Sequence, residues 1–317
     1  MHRPKTWLIL FTLLCWAASR FQGAINPYYF DVIIMIGINI VLGVSLNLVN
    51  GYTGQFSLGH AGFMAVGAYV SASATLFCGA WFVVALVTGG LGAALAGFAV
   101  GVPSLRLKGD YLAIVTLGFG EIIRVLIQNT EAVGGSRGLS VPSRTGLFGT
   151  YLAAALTVYV VVLLVHSTYG RGFLTVRDDE IAAEAMGINT TKYKVIAFVV
   201  AAFFAGVAGG LYAHFKQFIH PEGFGFLRSV DIVVIVILGG MGNTPGVILA
   251  AILLTILPEG LRALAGWEAL PGSVREIVQN RMILYSLLLI GLMLTRPQGL
   301  FSGGGKLTKW LKGRLAQ

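Results

Sequence analysis

The sequence predicts an all-α integral membrane protein, a polytopic bundle of about 8–10 transmembrane helices with one or two broken or re-entrant segments. Three observations carry that expectation. Of 317 residues, 56% are hydrophobic and only 11% charged, whereas a soluble domain needs about 25% charged residues to cover its surface. Between Asp31 and Arg106 there is no Asp, Glu, Lys or Arg, which leaves room for roughly three spans of about 20 residues. The basic residues cluster between apolar runs: Arg3 and Lys5, Arg106 and Lys108, Arg171 to Lys194, and Lys306 to Arg314. Such clusters are what the positive-inside rule places in cytoplasmic loops.

In chain order, hydropathy and helix breakers give spans at roughly 6–22, 30–50, 57–77, 81–103, 110–128, 147–168, 194–215, 229–257 and 280–295. The first twenty residues imitate a secretory signal, with a basic start, apolar Trp7–Trp16 and then Ala17, Ala18 and Ser19. They are read as the first, uncleaved span. With the N-terminus inside, the count places Arg106, Lys108 and the 171–194 loop in the cytoplasm, in agreement with their charge. A single crossing at 229–257 would then leave the basic tail, 296–317, outside.

The run Gly239-Gly240-Met241-Gly242-Asn243-Thr244-Pro245-Gly246 offers a way out of that conflict. It splits 229–257 into halves of about 12 residues, roughly 18 Å of helix each, against a hydrocarbon core of about 30 Å. A segment that goes in and returns restores the parity. Non-helical backbone at membrane depth must be buried in protein or line a watery cavity, so Gly239, Gly240 and Asn243 become pathway candidates. A surface loop between two tilted helices, or a further crossing near 260–278, is the alternative. A second break, Asn50-Gly51-Tyr52-Thr53-Gly54-Gln55, lies in the first half, and paired interruptions point to a transporter binding site. Two stripes of small residues, Gly89, Ala93, Gly97 and Gly101, and Ala201, Ala205, Gly209 and Ala213, predict close helix packing.

Other classes are disfavoured. The net charge of +9 comes without a long basic stripe or interleaved aromatics, so no nucleic-acid partner is expected. Cys15 and Cys78 sit in apolar segments without CxxC spacing, so neither a disulfide framework nor a metal site is indicated. Gly303-Gly304-Gly305-Lys306 fails the Walker spacing, because Leu300 stands where the first Gly should be and Leu307 follows the Lys. No HExxH or GxSxG occurs. No catalytic residue and no cofactor is expected, and ATP hydrolysis must come from separate subunits.

The 171–194 loop is the most hydrophilic internal stretch. Asp178 or Asp179 is placed to cap a short helix that Gly187 terminates. Ile181, Ala185 and Ile188 align on one face, with Glu180 and Glu184 on another. Such an amphipathic element suits a groove in a partner, and a solvated linker is the alternative.

Four runs resemble one family. Ala182-Ala183-Glu184-Ala185-Met186-Gly187-Ile188-Asn189 is similar to the cytoplasmic coupling motif of ABC importer permeases, in the form of the branched-chain amino-acid family. Gly51–Phe63, Leu105–Gly109 with Thr116–Arg124, and Leu238–Gly246 resemble other signatures of that family, in order and over most of the chain. Length and the single hydrophilic loop resemble its M-type subunit. One departure stands out: the general motif has a Glu six residues before its Gly, and here Ile181 holds that place. The resemblance implies a coupling loop that includes Arg177, Asp178, Glu180, Ala183, Glu184, Ala185 and Gly187. It also implies a second homologous permease subunit, two cytoplasmic ATP-binding subunits, an external substrate-binding protein, and residence in the bacterial inner membrane.

Within the bilayer, Glu121 and Arg124 lie one turn apart and serve either as a structural ion pair or as pathway residues. Gly54, Gln55, Ser57 and His60 follow the first break, where amide and hydroxyl groups are suited to a zwitterion or to interhelical hydrogen bonds. Asn39 and Asn47 read as packing glue. The resemblance implies leucine, isoleucine and valine as substrates. Urea or short-chain amides are the alternative within the same architecture, and a stand-alone secondary transporter or channel is the alternative outside it.

Overall fold

The computed structural model describes residues 26–104, 109–265, 286–287, 290–291, 294–295 and 299–300. The expected first span, the Arg106/Lys108 cluster, most of 280–295 and most of the basic tail lie outside the described residues. The architecture is helical throughout, apart from a ribbon of two-residue strands.

Helix α1, Pro27–Asn47, starts at Asn26, whose side chain accepts from the Tyr28 N–H, and at Pro27, whose missing N–H costs nothing there. At its far end it loosens into a π-turn, Leu48–Tyr52, at the first predicted break. Then come α2, His60–Phe77, α3, Phe82–Ser104, and α4, Asp110–Gln128. Helix α5, Leu147–Val165, leads to two short helices, α6, Thr168–Asp178, and α7, Glu180–Ala185. Helix α8, Thr190–Lys216, follows, then α9, Phe226–Gly239, and α10, Thr244–Ala265. Six helices among the described residues are long and apolar enough to cross a membrane. The expectation of an all-α polytopic membrane protein holds.

Burial ranks the spans. The most apolar window of α1 is 83% buried and that of α4 only 17%, so α1 is the axis and α4 an outer wall. Helices α2, α3 and α8 form the tightest cluster, and small residues make it possible. A Cβ on Gly206 would stand 2.7 Å from the Gly89 carbonyl oxygen, and one on Gly67 would stand 2.1 Å from the Gly206 Cα. The predicted Gly89/Ala93/Gly97 stripe does face α8: a Cβ on Gly97 would lie 2.5 Å from that of Ala202, and one on Gly206 equally close to that of Ala93. In lipid, close backbone approach of this kind is what drives helix association.

The chain reverses direction twice in an inverted way. Helices α1 and α8 run antiparallel, with Phe30 on Phe215 and Lys216 Nζ 2.7 Å from Asp31 Oδ1 at one end, here termed distal. The proximal end carries α6 and α7. After α1 the chain does not stay at the proximal end. Residues 53–59 climb back until His60 Nε2 lies 2.9 Å from Ser45 Oγ, about 10 Å up the helix from Tyr52. From there α2 runs to the distal end. After α8, residues 217–225 descend from the distal end and α9 continues to the proximal end. These two lead-in segments, the second containing a 3-10 turn at Pro221–Phe224, bring α2 and α9 together where the Ala61 N–H donates to Ser229 Oγ at 3.3 Å.

This geometry corrects the reading of 229–257. The break at Gly240 is real, since α9 has only 14 residues. The second half is not short, however: α10 has 22 residues and continues past Pro258. A proline is tolerated in a membrane helix when neighbours re-satisfy the freed carbonyl. The stretch thus goes in as a half-length helix and returns as a full one, and parity is restored. Residues 299–300 are back at the proximal end, where the Leu300 N–H donates to the Leu238 carbonyl at 2.8 Å. At the distal end, Leu139 pairs with Ile219 and Ser140 with Phe218 to tie the α4–α5 connection over the lead-in at 217–225.

Candidate functional site

Two regions concentrate polar groups, one at each end. At the proximal end the two predicted breaks meet. The Gly242 N–H donates to Asn47 Oδ1 at 2.9 Å, and the Tyr52 hydroxyl lies 2.9 Å from Thr244 Oγ1. A Cβ on Gly51 would stand 2.2 Å from the Gly242 nitrogen. Arg177, on α6, packs against both: a Cβ on Gly54 would come within 2.8 Å of its Cγ, and one on Gly242 within 3.3 Å of its Nη1. Gly239 and Gly240 lie here too, not at mid-depth. Gly239 allows α9 to touch Val247, Gly240 takes φ 89°, and the Asn243 N–H donates to the Gly240 carbonyl at 3.0 Å. These residues shape a turn.

The hydrophilic loop folds as two helices at an angle. Helix α6 buries Phe173 and Val176 and seats Gly172 against the Tyr193 ring. Asp179 is the cap of α7, accepting from the Ile181 and Ala182 N–H groups at 2.9 and 3.0 Å. Gly187, at φ 80°, ends it, with the Ile188 N–H returning to the Ala183 carbonyl. Both acids of α7 have partners on the next helix. Glu180 pairs with Lys194 at 2.6 Å, and Glu184 accepts from the Thr190 hydroxyl at 2.7 Å, so both tie α7 back to α8. Ala183 anchors α7 and is buried. Outward, α7 presents Ile181 at 72% exposure and, at its C-terminal cap, Met186 at 81%, with Ala185 and the exposed Glu184 beside them. Asp178 pairs with Arg177 at 3.0 Å on the surface.

Of the residues after the first break, Ser57 and His60 are used internally. The Ser57 N–H donates to Asn50 Oδ1 at 3.2 Å, the Leu58 N–H to Thr116 Oγ1 at 3.1 Å and the Gly59 N–H to Ser57 Oγ at 3.4 Å. Side chains thereby replace the missing helix partners of 57–59. Gln55 differs: it is buried, and neither its Nε2 nor its Oε1 has a hydrogen-bond partner among the described residues. It faces a cavity of about 280 Å³ shared with Phe56, Leu112, Arg177, Glu180 and Lys194.

At the distal end a larger pocket, about 540 Å³, opens between α4 and the start of α9. Glu121 and Arg124 line it as an ion pair, Oε2 to Nε 2.7 Å. Arg228, Asp231 and Glu222 line it as well, with Phe226 and Leu227 supplying apolar wall. Arg228 Nη2 donates to Asn39 Oδ1 at 2.9 Å, and Asn39 Nδ2 donates to Thr255 Oγ1 at 2.9 Å, so the guanidinium is held from behind by α1 and α10. Sequence reasoning missed Arg228 and Asp231. Their signal was available: an i, i+3 charge pair of the Glu121/Arg124 kind, placed directly before the charge-free run from Ile232.

The chain matches, over residues 28–294, the model of a family described as branched-chain amino acid transport system / permease component. It belongs to that family. It is 37% identical to the high-affinity branched-chain amino acid transport system permease protein LivM of Salmonella typhimurium, over 92% of this chain and 73% of that one. It is 38% identical to the LivM protein of Escherichia coli strain K12, over 94% of this chain and 75% of that one. LivH of the same strain, a permease protein of a high-affinity branched-chain amino acid transport system, is 25% identical over 82% of this chain and 90% of its own. The chain is thus a multi-pass membrane protein of a transport-permease family whose relatives include both kinds of subunit.

Proposed function

We propose that this chain is one half of the membrane channel of a binding-protein-dependent ABC importer for leucine, isoleucine and valine in the bacterial inner membrane. It would pair with a homologous permease subunit of the LivH kind, receive substrate at the distal end from an external binding protein, and dock ATP-binding subunits at the proximal end. The observation that carries this reading is α7: a capped, rigidly tied helix that turns Ile181, Ala185 and Met186 outward from an otherwise polar loop. An exposed apolar face on a tethered helix suits a groove in a partner.

The internal ties give the coupling a physical route. Lys194–Glu180 and Thr190–Glu184 fasten α7 to α8, while Arg177 on α6 lies against both breaks. ATPase closure that pushes α7 therefore moves α8 and the Gly51/Gly242 contact, on which Arg177 rests, together. Helices α1 and α9 end at those breaks and α10 starts from the second, so the push reaches all three. The 171–194 segment serves as the coupling loop, and residues 1–317 act as one permease domain with a cytoplasmic basic tail.

Reconstitution tests the reading. Uptake of labelled leucine and of labelled urea would be measured in proteoliposomes with this chain alone, then with the second permease, the ATPases and the binding protein. Leucine uptake only in the full assembly and only with ATP is expected. Uptake by the chain alone, insensitive to ATP, would overturn the reading, and a preference for urea would overturn the substrate.

A further inference from the structure

We propose that the distal pocket is a transit subsite for an α-amino-acid zwitterion. Asp231 receives the ammonium, Arg124 and Arg228 receive the carboxylate, and Phe226 and Leu227 contact the aliphatic side chain. This deepens the import reading above and rests on it.

Position comes first. The pocket runs from Glu222, next to the distal ribbon, to Asp231, in the second turn of α9. It therefore spans the depth from the distal end to the level where α2 and α9 cross at Ala61 and Ser229. Its walls are α4, the outermost wall of the bundle, and a half-length helix whose lead-in is irregular. Ionisable groups in membrane segments are costly and mark pathways, and four of the five charges here lie on α4 and α9. A volume of about 540 Å³ falls within the range of roughly 300–1,000 Å³ usual for small-molecule sites.

Chemistry selects the ligand. The lining offers two guanidiniums and three carboxylates, so a simple anion meets too many acids and a simple cation meets two arginines. A zwitterion satisfies both signs and adds no net charge. The groups are also exchangeable. Arg124 and Glu121 hold each other at 2.7 Å with side-chain exposures of 25% and 37%, so water and ligand reach the pair. Replacing one charge-assisted hydrogen bond by another costs little. Asp231 interacts electrostatically with Arg228 one turn earlier without closing to a salt bridge, and Arg228 is fixed from behind by Asn39, so both line the pocket with a side open to a ligand. Exchange of near-equal bonds gives weak, reversible holding, which transit requires.

The test places a thiol at Leu227, 77% exposed in the pocket wall. The complete assembly carrying Leu227→Cys is reconstituted without nucleotide and labelled with a membrane-impermeant maleimide. Labelling is then repeated with leucine, 4-methylpentanoate (no ammonium) or 3-methylbutylamine (no carboxylate) at equal millimolar concentration. Leucine at about four times its Kd should slow labelling about fivefold, with little effect from either half-molecule. Asp231→Asn in the same background should abolish protection by leucine, and Asp231→Glu should restore it. A thiol that never labels, no protection by leucine, or equal protection by all three compounds would overturn the subsite. ATP-driven leucine uptake by the same assembly separates the two claims. Uptake with no protection sinks only the subsite, and protection with no uptake sinks only the import reading.

Discussion

The two ends of the bundle handle polarity in opposite ways. At the proximal end, neutral groups lock the breaks to each other, Gly242 to Asn47 and Tyr52 to Thr244, and the charges are tied into α6–α8. At the distal end, charges of both signs face an open pocket, where Glu121 and Arg124 pair along α4 and Glu222 lies 3.9 Å from His220. Transmitting a mechanical push needs short bonds with no competing partner. Passing a polar solute needs groups that trade partners at little cost. The same fold supplies both by placing its irregular lead-in segments at opposite ends, 53–59 from the proximal side and 217–225 from the distal side.

Substitutions at the proximal end should therefore appear as stability and coupling defects, and distal ones as defects in substrate handling. The largest effect is expected at Glu180→Gln. Lys194, only 5% exposed, would lose its partner, and stranding a buried charge costs about 3 kcal/mol or more. Thermal unfolding of the purified assembly should start markedly lower, and an unchanged transition would remove the tether from the account. Next is Gly54→Ala. Gly54 sits at φ 69° with Arg177 in the way, and a side chain in the left-handed region costs roughly 1–2 kcal/mol. ATP hydrolysed per leucine imported should rise, because the wedge between α6 and the first break is displaced. Asp179→Ala removes the α7 cap, worth about 1 kcal/mol, and faster amide exchange at Ile181 and Ala182 should report it. Smallest is Glu222→Gln at the distal rim, on a side chain 72% exposed, where a stability change within about 0.5 kcal/mol is expected.

Much of this contrast was legible in the sequence, and the rest has physical reasons for being hidden. Spans follow from hydropathy because lipid imposes length and apolarity on every crossing helix: 110–128 falls where the charges and breakers put it, and the span expected at 147–168 ends three residues early, at Val165. The glycine run at 239–246 announced a break, but Pro258 suggested too early an end for α10. The lead-in at 217–225 carries breakers, Pro221, Gly223 and Gly225, but they read as an ordinary connection between spans. Its Phe218, Ile219 and Phe224 are apolar, and tertiary contacts, Ala61 with Ser229 and Arg228 with Asn39, reveal that it descends into the bundle. In the loop, Asp179 and Gly187 were legible as cap and terminator because those roles are local. The use of Glu180 and Glu184 was not, because Lys194 and Thr190 belong to the next helix and local periodicity is silent about them.

One measurement bears most directly on the claim that ATP drives import through α7. Ile181 is 72% exposed, so Ile181→Asp leaves the core untouched while placing a charge on the apolar face. ATP-driven leucine uptake by the full assembly in proteoliposomes should fall to the ATP-free level, with the two permease subunits still co-purifying. Uptake equal to that of the unaltered assembly would contradict the account.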